Sequence, residues 1–137
     1  MSRIYYKVCA TYDNYPNKYF SFNLSPSYED LCLEYKLNVW TFPIIKNSRL
    51  YCFDNIGEAR DFMRYNMGYS YIFSCNVKNP RSTKWIGDPL NPFRLRSYLE
   101  TKSKHLKYNA PRGTISASAI KILEKIVDKQ KRIYDEL

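Results

Sequence analysis

Apolar and polar side chains alternate along several stretches of the first 78 residues, and this alternation restricts the fold more than any other feature. Residues 3–10 place Ile4, Tyr6, Val8 and Ala10 on one face of an extended chain, because side chains two apart in a strand project to the same side. Residues 19–24 and 32–40 alternate in the same way, and residues 50–53 and 69–78 form further short segments. A period of two is typical of β-strands. We therefore expect a sheet of about five strands.

Two segments carry the signals of short helices. Asn55 precedes an apolar face and is followed three residues later by Glu58, which is a capping-box spacing. We expect a helix over residues 55–67, so that residues 50–78 form a strand–helix–strand unit able to cross between parallel strands. Asn91 and Pro92 form a second N-cap and first helical position, ahead of an apolar stripe at Leu95, Tyr98 and Leu99.

The last 24 residues show a helical period instead. Ala119, Ile122, Ile126 and Ile133 lie on one helical line, and Ile120, Leu123 and Val127 lie on an adjacent one. The pattern predicts a helix from about Ser116 to the end of the chain. Its broad apolar face favours packing on the sheet, and its heptad spacing leaves open a homodimer formed through this helix.

The length of 137 residues suits one domain. We expect an α+β fold with a mixed β-sheet, one crossover helix and a C-terminal helix packed on the sheet. Within that single domain, residues 1–78 would form a β-rich core with the helix at 55–67. Residues 79–113 would form an irregular basic segment, and residues 114–137 the C-terminal helix.

The positive charge of the chain is concentrated in one segment. The formal net charge is +9, and residues 76–113 contribute nine basic side chains against Asp88 and Glu100, a net charge of +7. Such a field attracts polyanions, of which phosphate backbones are the commonest. The sequence therefore favours a non-enzymatic binding protein that contacts nucleic acid, or an acidic protein surface, through this segment. The same charges would also suit a solvated face that only keeps the protein soluble.

The candidate contacts are basic and aromatic side chains of this segment. The cations that would contact a polyanion backbone are Arg94, Arg96, Lys102, Lys104, Lys107 and Arg112. Trp85 and Tyr108 are the aromatic side chains without a predicted core role, and they are candidates for stacking on bases.

Catalytic chemistry has weaker support in the sequence. Glu34 and Lys36, two apart in a predicted strand, match part of the metal-binding pattern of PD-(D/E)xK nucleases, with Asp13 or Asp30 as the third member. A small nuclease-like enzyme that acts on a nucleotide or nucleic acid is therefore one alternative, and a structural protein that assembles through the C-terminal helix is the other. The glycines are isolated, and Cys9, Cys32, Cys52 and Cys75 lack the close pairing of zinc ligands. We expect buried, reduced thiols, no metal and no cofactor.

One part of the chain resembles small uncharacterised proteins of bacteriophages and large DNA viruses. The resemblance covers about residues 31–77 and is carried by Leu33-Glu34-Tyr35-Lys36, Trp40-Thr41-Phe42-Pro43, Leu50-Tyr51-Cys52-Phe53-Asp54, Ala59-Arg60-Asp61-Phe62 and Ile72-Phe73-Ser74-Cys75-Asn76-Val77. It implies a virus-encoded accessory or virion-associated protein, without any established activity or functional residue. The N-terminus lacks the apolar region of a signal peptide, and no apolar run approaches the roughly 18 residues that span a bilayer. We expect a protein of the host cytoplasm or the virion that makes no membrane contact.

Overall fold

A computed structural model of the chain describes residues 3–21, 31–64, 69–87 and 91–127. Within these ranges the chain forms eleven strands, two α-helices and one short 3₁₀ helix at Lys104–Leu106. The helices are α1 (Ile56–Arg64) and α2 (Pro92–Thr101). The strands are β1 (Tyr5–Tyr12), β2 (Tyr15–Phe20), β3 (Glu34–Tyr35), β4 (Trp40–Thr41), β5 (Leu50–Phe53), β6 (Tyr69–Lys78), β7 (Arg81–Ser82), β8 (Trp85–Ile86), β9 (Tyr108–Asn109), β10 (Thr114–Ala117) and β11 (Ala119–Val127).

Nine of these strands form one sheet, in the order β4-β11-β6-β1-β5-β10-β7, and β2 and β3 extend it from β1. The α+β class is confirmed. The expected sheet of about five mixed strands is wrong, because the described part of the sheet has nine strands and all of its pairings are antiparallel. Several strands have only two residues, which is too short for alternation to reveal them.

The centre of the sheet is the long pairing of β1 with β6, which runs from Tyr5 opposite Cys75 to Thr11 opposite Tyr69. β5 pairs with the other edge of β1 at Tyr6 and Phe53. Because β5 and β6 are each antiparallel to β1, they are parallel to each other, and α1 crosses between them. The expected strand–helix–strand unit is therefore present, with β1 inserted between its two strands.

Both faces of the central strands are buried. On one face, Cys9, Phe73 and Ile120 pack beneath Leu33 and Tyr35. On the other face, Val8 and Ile72 pack against Ala59 and Met63 of α1. A third cluster joins Phe20, Leu31 and Cys32 to Leu99 of α2.

Both predicted helix caps are confirmed. The side-chain oxygen of Asn55 accepts a hydrogen bond from the Glu58 N–H at 2.9 Å. Asn91 accepts from the N–H groups of Phe93 and Arg94 at 3.1 Å each, with Pro92 in the first turn. The predicted helix over 55–67 holds for Ile56–Arg64, and residues 65–67 lie outside the described residues.

The expected single strand over 32–40 is instead two short strands. Tyr35 ends β3 and Trp40 begins β4, and between them Asn38 adopts a left-handed backbone conformation with φ 62°. Asn tolerates this conformation better than most residues, so it permits a turn. The Asn38 N–H then donates to the Ile122 carbonyl at 2.7 Å, which ties this turn to β11.

The predicted C-terminal helix is wrong over residues 114–127, where β10 and β11 join the main sheet. Residues 128–137, with the rest of that prediction, lie outside the described residues. Two register shifts in β11, at Ile122/Glu124 and Lys125/Val127, interrupt the alternation. Because each bulge adds an unpaired residue, the apolar side chains acquire a spacing that imitates a helix. A homodimer through this helix therefore loses its basis for residues 116–127.

The placement of Ile122 and Ile126 distinguishes the strand from the predicted helix. Ile122 is fully buried, whereas Ile126 is 43% exposed. We expect Ile122→Ala to lower the free energy of unfolding by about 2–5 kcal/mol. The matched Ile126→Ala should lower it by well under half as much, measured by urea denaturation. A helix would place both side chains on one face. Equal losses of unfolding free energy in the two variants would therefore contradict the assignment of residues 119–127 to a strand.

Candidate nucleic-acid interface

A two-stranded ribbon carries both of the aromatic side chains predicted to stack on bases, Trp85 and Tyr108. β8 and β9 pair with Trp85 opposite Asn109 and Ile86 opposite Tyr108. The ribbon continues through a hydrogen bond from the Ala110 N–H to the Lys84 carbonyl at 2.8 Å. The expected irregular segment 79–113 therefore contains a ribbon, α2 and the 3₁₀ helix. Two-residue strands carry almost no sequence signal, which is why the ribbon was not predicted.

Trp85 is the centre of the exposed site. Its side chain is 42% exposed, and the Lys107 ammonium lies 4.0 Å from the centroid of its ring. An ammonium at this distance is attracted to the electron-rich face of an indole. The contact places a cation directly beside an aromatic surface, which is the combination that single-stranded nucleic acids require.

A surface cleft lies beside the same ribbon. Lys84, Trp85 and Arg112 line it, and Asp54 is the one acidic side chain among its described lining residues. Both Lys84 and Arg112 are exposed. At the floor of the cleft, Gly113 has φ +81°, and a Cβ there would come within 3.0 Å of Asp54 and Glu58. We call the surface formed by Lys84, Trp85, Lys107 and Arg112 the ribbon cleft.

Trp85 and Tyr108 do not share a face of the ribbon. Directly opposed residues of an antiparallel pair project to the same side, so Tyr108 accompanies Ile86 rather than Trp85. Ile86 and Tyr108 both line a second cavity, although Tyr108 remains 43% exposed. Of the two predicted stacking residues, Trp85 alone lines the ribbon cleft.

The six predicted backbone contacts are distributed over several elements. Lys107 and Arg112 belong to the ribbon and its cleft, Arg94 and Arg96 are on α2, and Lys104 is in the 3₁₀ helix. Lys102 caps the end of α2, where its N–H donates to the Tyr98 carbonyl at 2.7 Å. The structure therefore brings two of the six beside Trp85.

A further basic cluster joins side chains that are distant in sequence. Arg49 donates to the Ser116 hydroxyl at 2.9 Å and is held near Arg81 and Lys102. Burial lowers the pKa of Arg49, and the charge of Arg81 lowers it further. Burial likewise lowers the pKa of Lys102, with Arg49 adding to the effect. Arg49 lies outside the basic segment, so charge counting along the chain did not find it.

A second aromatic–cationic cluster lies at the β4 edge of the sheet. The Lys78 and Lys121 ammonium groups lie 4.6 and 5.0 Å from the centroid of the Trp40 ring. Lys78 also lies 5.5 Å from the Phe42 ring. Trp40 lies in β4, Lys121 in β11 and Lys78 in β6, and β11 pairs with both of the other strands. A helix over residues 116–137 would not allow these pairings, so the sequence did not indicate this cluster.

The alternative catalytic residues do not converge. Glu34 pairs with Phe20 at one end of β2, whereas Asp13 lies in the turn at the other end. Lys36 is exposed just beyond β3, and Asp30 lies outside the described residues. No group of three His, Cys, Asp or Glu side chains in the described ranges is arranged to hold a metal ion.

All four cysteines are buried and free, as the sequence predicts. Burial raises the pKa of Cys9 and of Cys32 to about 12 in each case. A hydrogen bond with Cys52, together with burial, raises the pKa of Cys75 strongly. The thiols of Cys9, Cys32 and Cys75 are therefore neutral core side chains at physiological pH.

Comparison of the chain with protein-family models, with curated proteins and with solved structures found no match. Among the described residues, no helix is both long and apolar enough to cross a membrane. The fold and the ribbon cleft thus define an α+β protein with a surface site of aromatic and cationic side chains.

The raised thiol pKa values predict a loss of stability at alkaline pH. Cys9 ionises at about pH 9.0 when unfolded but at about 12 when folded. The folded state therefore keeps a proton that the unfolded chain releases, so its stability is intact below pH 9 and declines as the pH rises toward 12. We expect about 1.4 kcal/mol of loss per pH unit from this thiol in that window.

Urea denaturation between pH 8 and pH 11 measures this effect, with Cys9→Ala as the comparison. The variant has a lower stability at pH 8, but its stability should decline less steeply with pH because one ionising group is gone. Identical slopes for the two proteins would show that Cys9 is not the titrating group.

Proposed function

We propose that the protein binds single-stranded nucleic acid through the ribbon cleft, by contacts to phosphates and by stacking of a base on Trp85. The observation that carries this proposal is the contact of Lys107 with the partly exposed Trp85 ring, with Lys84 and Arg112 along the adjacent cleft. This function fits a virus-encoded accessory or virion-associated protein, the class that the resemblance over residues 31–77 implies.

The charges support a polyanionic ligand. Lys84, Lys107 and Arg112 are exposed, so phosphates can reach them, and each phosphate that they neutralise releases a bound counterion. The segment 81–84 leads from the Arg49, Arg81 and Lys102 cluster into the ribbon. These four residues therefore connect the Arg49 cluster with the cations of the ribbon cleft. Two neighbouring groups of cations suit a ligand whose negative charges recur along its length.

The exposed indole favours a single strand over a duplex. A base can stack on a side chain only when its face is not covered by neighbouring base pairs. The ribbon cleft has no helix or long ribbon of the kind that enters a major groove, so it offers no direct readout of base edges. We therefore expect binding with little sequence preference.

Replacement of Trp85 tests the stacking contact. We expect Trp85→Ala to weaken the binding of a fluorescently labelled oligothymidylate by about fivefold or more, because each stacked base contributes about 1–3 kcal/mol. Fluorescence anisotropy at fixed salt measures the dissociation constants. Trp40→Ala is the matched control, since Trp40 also lies beneath two lysines. An equal or larger loss in Trp40→Ala would move the binding site to the β4 edge.

The phosphate contacts have a separate signature in the salt dependence. Each phosphate contact with a single strand contributes about 0.7 to the slope of the logarithm of the binding constant against the logarithm of the salt concentration. Replacing both Lys107 and Arg112 by alanine should therefore make this slope shallower by about 1.4. Lys18 and Lys46, both exposed and outside the basic segment, provide a control variant of equal charge. An unchanged slope in the Lys107/Arg112 variant would overturn the proposal. Polyglutamate is a polyanion without bases. If the Lys107/Arg112 variant and the Lys18/Lys46 variant both bind it equally weakly, the attraction is an unspecific effect of net charge.

A further inference from the structure

A second cavity, partly open to the surface, adjoins the ribbon cleft and lies between the sheet and the elements that cover it. Its volume is about 360 Å³, and its wall includes Leu31 and Leu33 before β3, Leu50 of β5, and Leu95 and Leu99 of α2. Cavities of roughly 300–1,000 Å³ are typical of sites for small molecules. Most of this wall is apolar, so the bulk of any occupant must be apolar as well.

The cavity is located where two strands leave the same edge of β1. β5 pairs with that edge at Tyr6, and β2 pairs with it from Ala10 onward. Continuing the register from Tyr6 and Phe53 would place Val8 opposite Tyr51, but no such pair forms. The Tyr51 carbonyl instead accepts a hydrogen bond from the Lys7 ammonium at 2.7 Å.

Lys7 is a buried cation on the wall of this cavity. Its side chain is 8% exposed, and its ammonium lies 4.9 Å from the centroid of the Tyr35 ring. Burial by itself lowers the pKa of Lys7, whereas its interactions with Tyr35, Cys9 and Cys52 raise it, and the net pKa is raised. The Tyr51 carbonyl and the face of the Tyr35 ring both favour the charged ammonium.

Tyr35 adds a buried polar group that lacks a well-aligned hydrogen-bond partner. Its side chain is 1% exposed, and its hydroxyl oxygen makes no hydrogen bond of good geometry within the described part of the chain, although the Ser21 and Lys7 side chains interact with it. Burial raises the pKa of Tyr35, while the nearby Lys7 lowers it. A buried hydroxyl without a well-aligned partner costs free energy that a bound acceptor would recover.

The charges on the cavity wall are unbalanced. Lys7 and Arg49 both line it, whereas none of its described lining residues is an aspartate or a glutamate. Arg49 is hydrogen-bonded to Ser116, and the Lys7 ammonium donates to the Tyr51 carbonyl. An ammonium can donate three hydrogen bonds. The cavity thus has two cationic side chains on a mostly apolar wall.

We propose that this cavity binds an aliphatic monocarboxylate of the fatty-acid class. Its carboxylate would accept hydrogen bonds from the Lys7 ammonium and the Tyr35 hydroxyl, and its hydrocarbon chain would lie against Leu33, Leu95 and Leu99. The ammonium and the hydroxyl match the two oxygens of a carboxylate, and the leucine side chains match a hydrocarbon chain. This site uses different residues from the ribbon cleft, and it goes beyond the proposed function.

Calorimetric titration of the full chain at neutral pH tests the proposal, with decanoate as the probe and decanol as its uncharged equivalent. We expect saturable binding of decanoate at one site. Lys7→Met keeps the aliphatic stem of the side chain and removes its charge. It should weaken decanoate binding by about tenfold or more, because hydrogen bonds to charged groups are strong, and leave decanol binding nearly unchanged. Lys18→Met, at an exposed lysine of β2, is the matched control and should bind both probes normally.

Several results would overturn this site. They are the absence of saturable decanoate binding, an unchanged decanoate affinity in Lys7→Met, and an equal loss of both probes in that variant. Circular dichroism establishes that each variant is folded. If Lys7→Met fails to fold, Tyr35→Phe takes its place, and a selective loss of decanoate affinity is again expected. Trp85→Ala should bind decanoate like the unaltered protein, which separates this result from the outcome of the nucleic-acid experiments.

Discussion

The hydrogen bond from the Lys7 ammonium to the Tyr51 carbonyl spans the point at which the sheet divides. On one side of that point, β5 leads into α1 and pairs with β10, which in turn pairs with β7. On the other side, β2 pairs with β3 and supports the segment that covers Cys9 and Phe73. The cavity lined by Lys7 and Tyr51 lies at this division. Here the Lys7 side chain, rather than a backbone N–H of β1, satisfies the Tyr51 carbonyl of β5.

The sequence is most informative where a short-range interaction decides the structure. Asn55 and Asn91 each begin a helix because their side chains satisfy N–H groups two or three residues away. The alternation of residues 3–10 correctly indicates β1, and the isolated apolar settings of the cysteines correctly indicate burial. These features depend on neighbours in the chain, which sequence patterns record directly.

The features that the sequence does not reveal depend on long-range pairing. β11 has the composition of a strand, with four isoleucine or valine residues at positions 120, 122, 126 and 127, but its bulges replace alternation with a helix-like spacing. The ribbon cleft needs Lys84 and Arg112 to meet across a two-residue pairing. The Arg49 cluster needs the contact with Ser116, 67 residues away. The concentration of charge in residues 76–113 is visible in the sequence, whereas the grouping of Lys107 and Arg112 beside Trp85 depends on the fold.

The row of seven strands from β4 to β7 ends on both sides in a strand of only two residues, β4 at one end and β7 at the other. An exposed, long and flat edge would offer unpaired N–H and C=O groups to another chain, and this is a common route to aggregation. Here one end carries Arg81, and the other is covered by the lysines above Trp40. Because both strands are short, they offer few unpaired backbone groups, and the nine-stranded sheet resists pairing with a second sheet at these two ends.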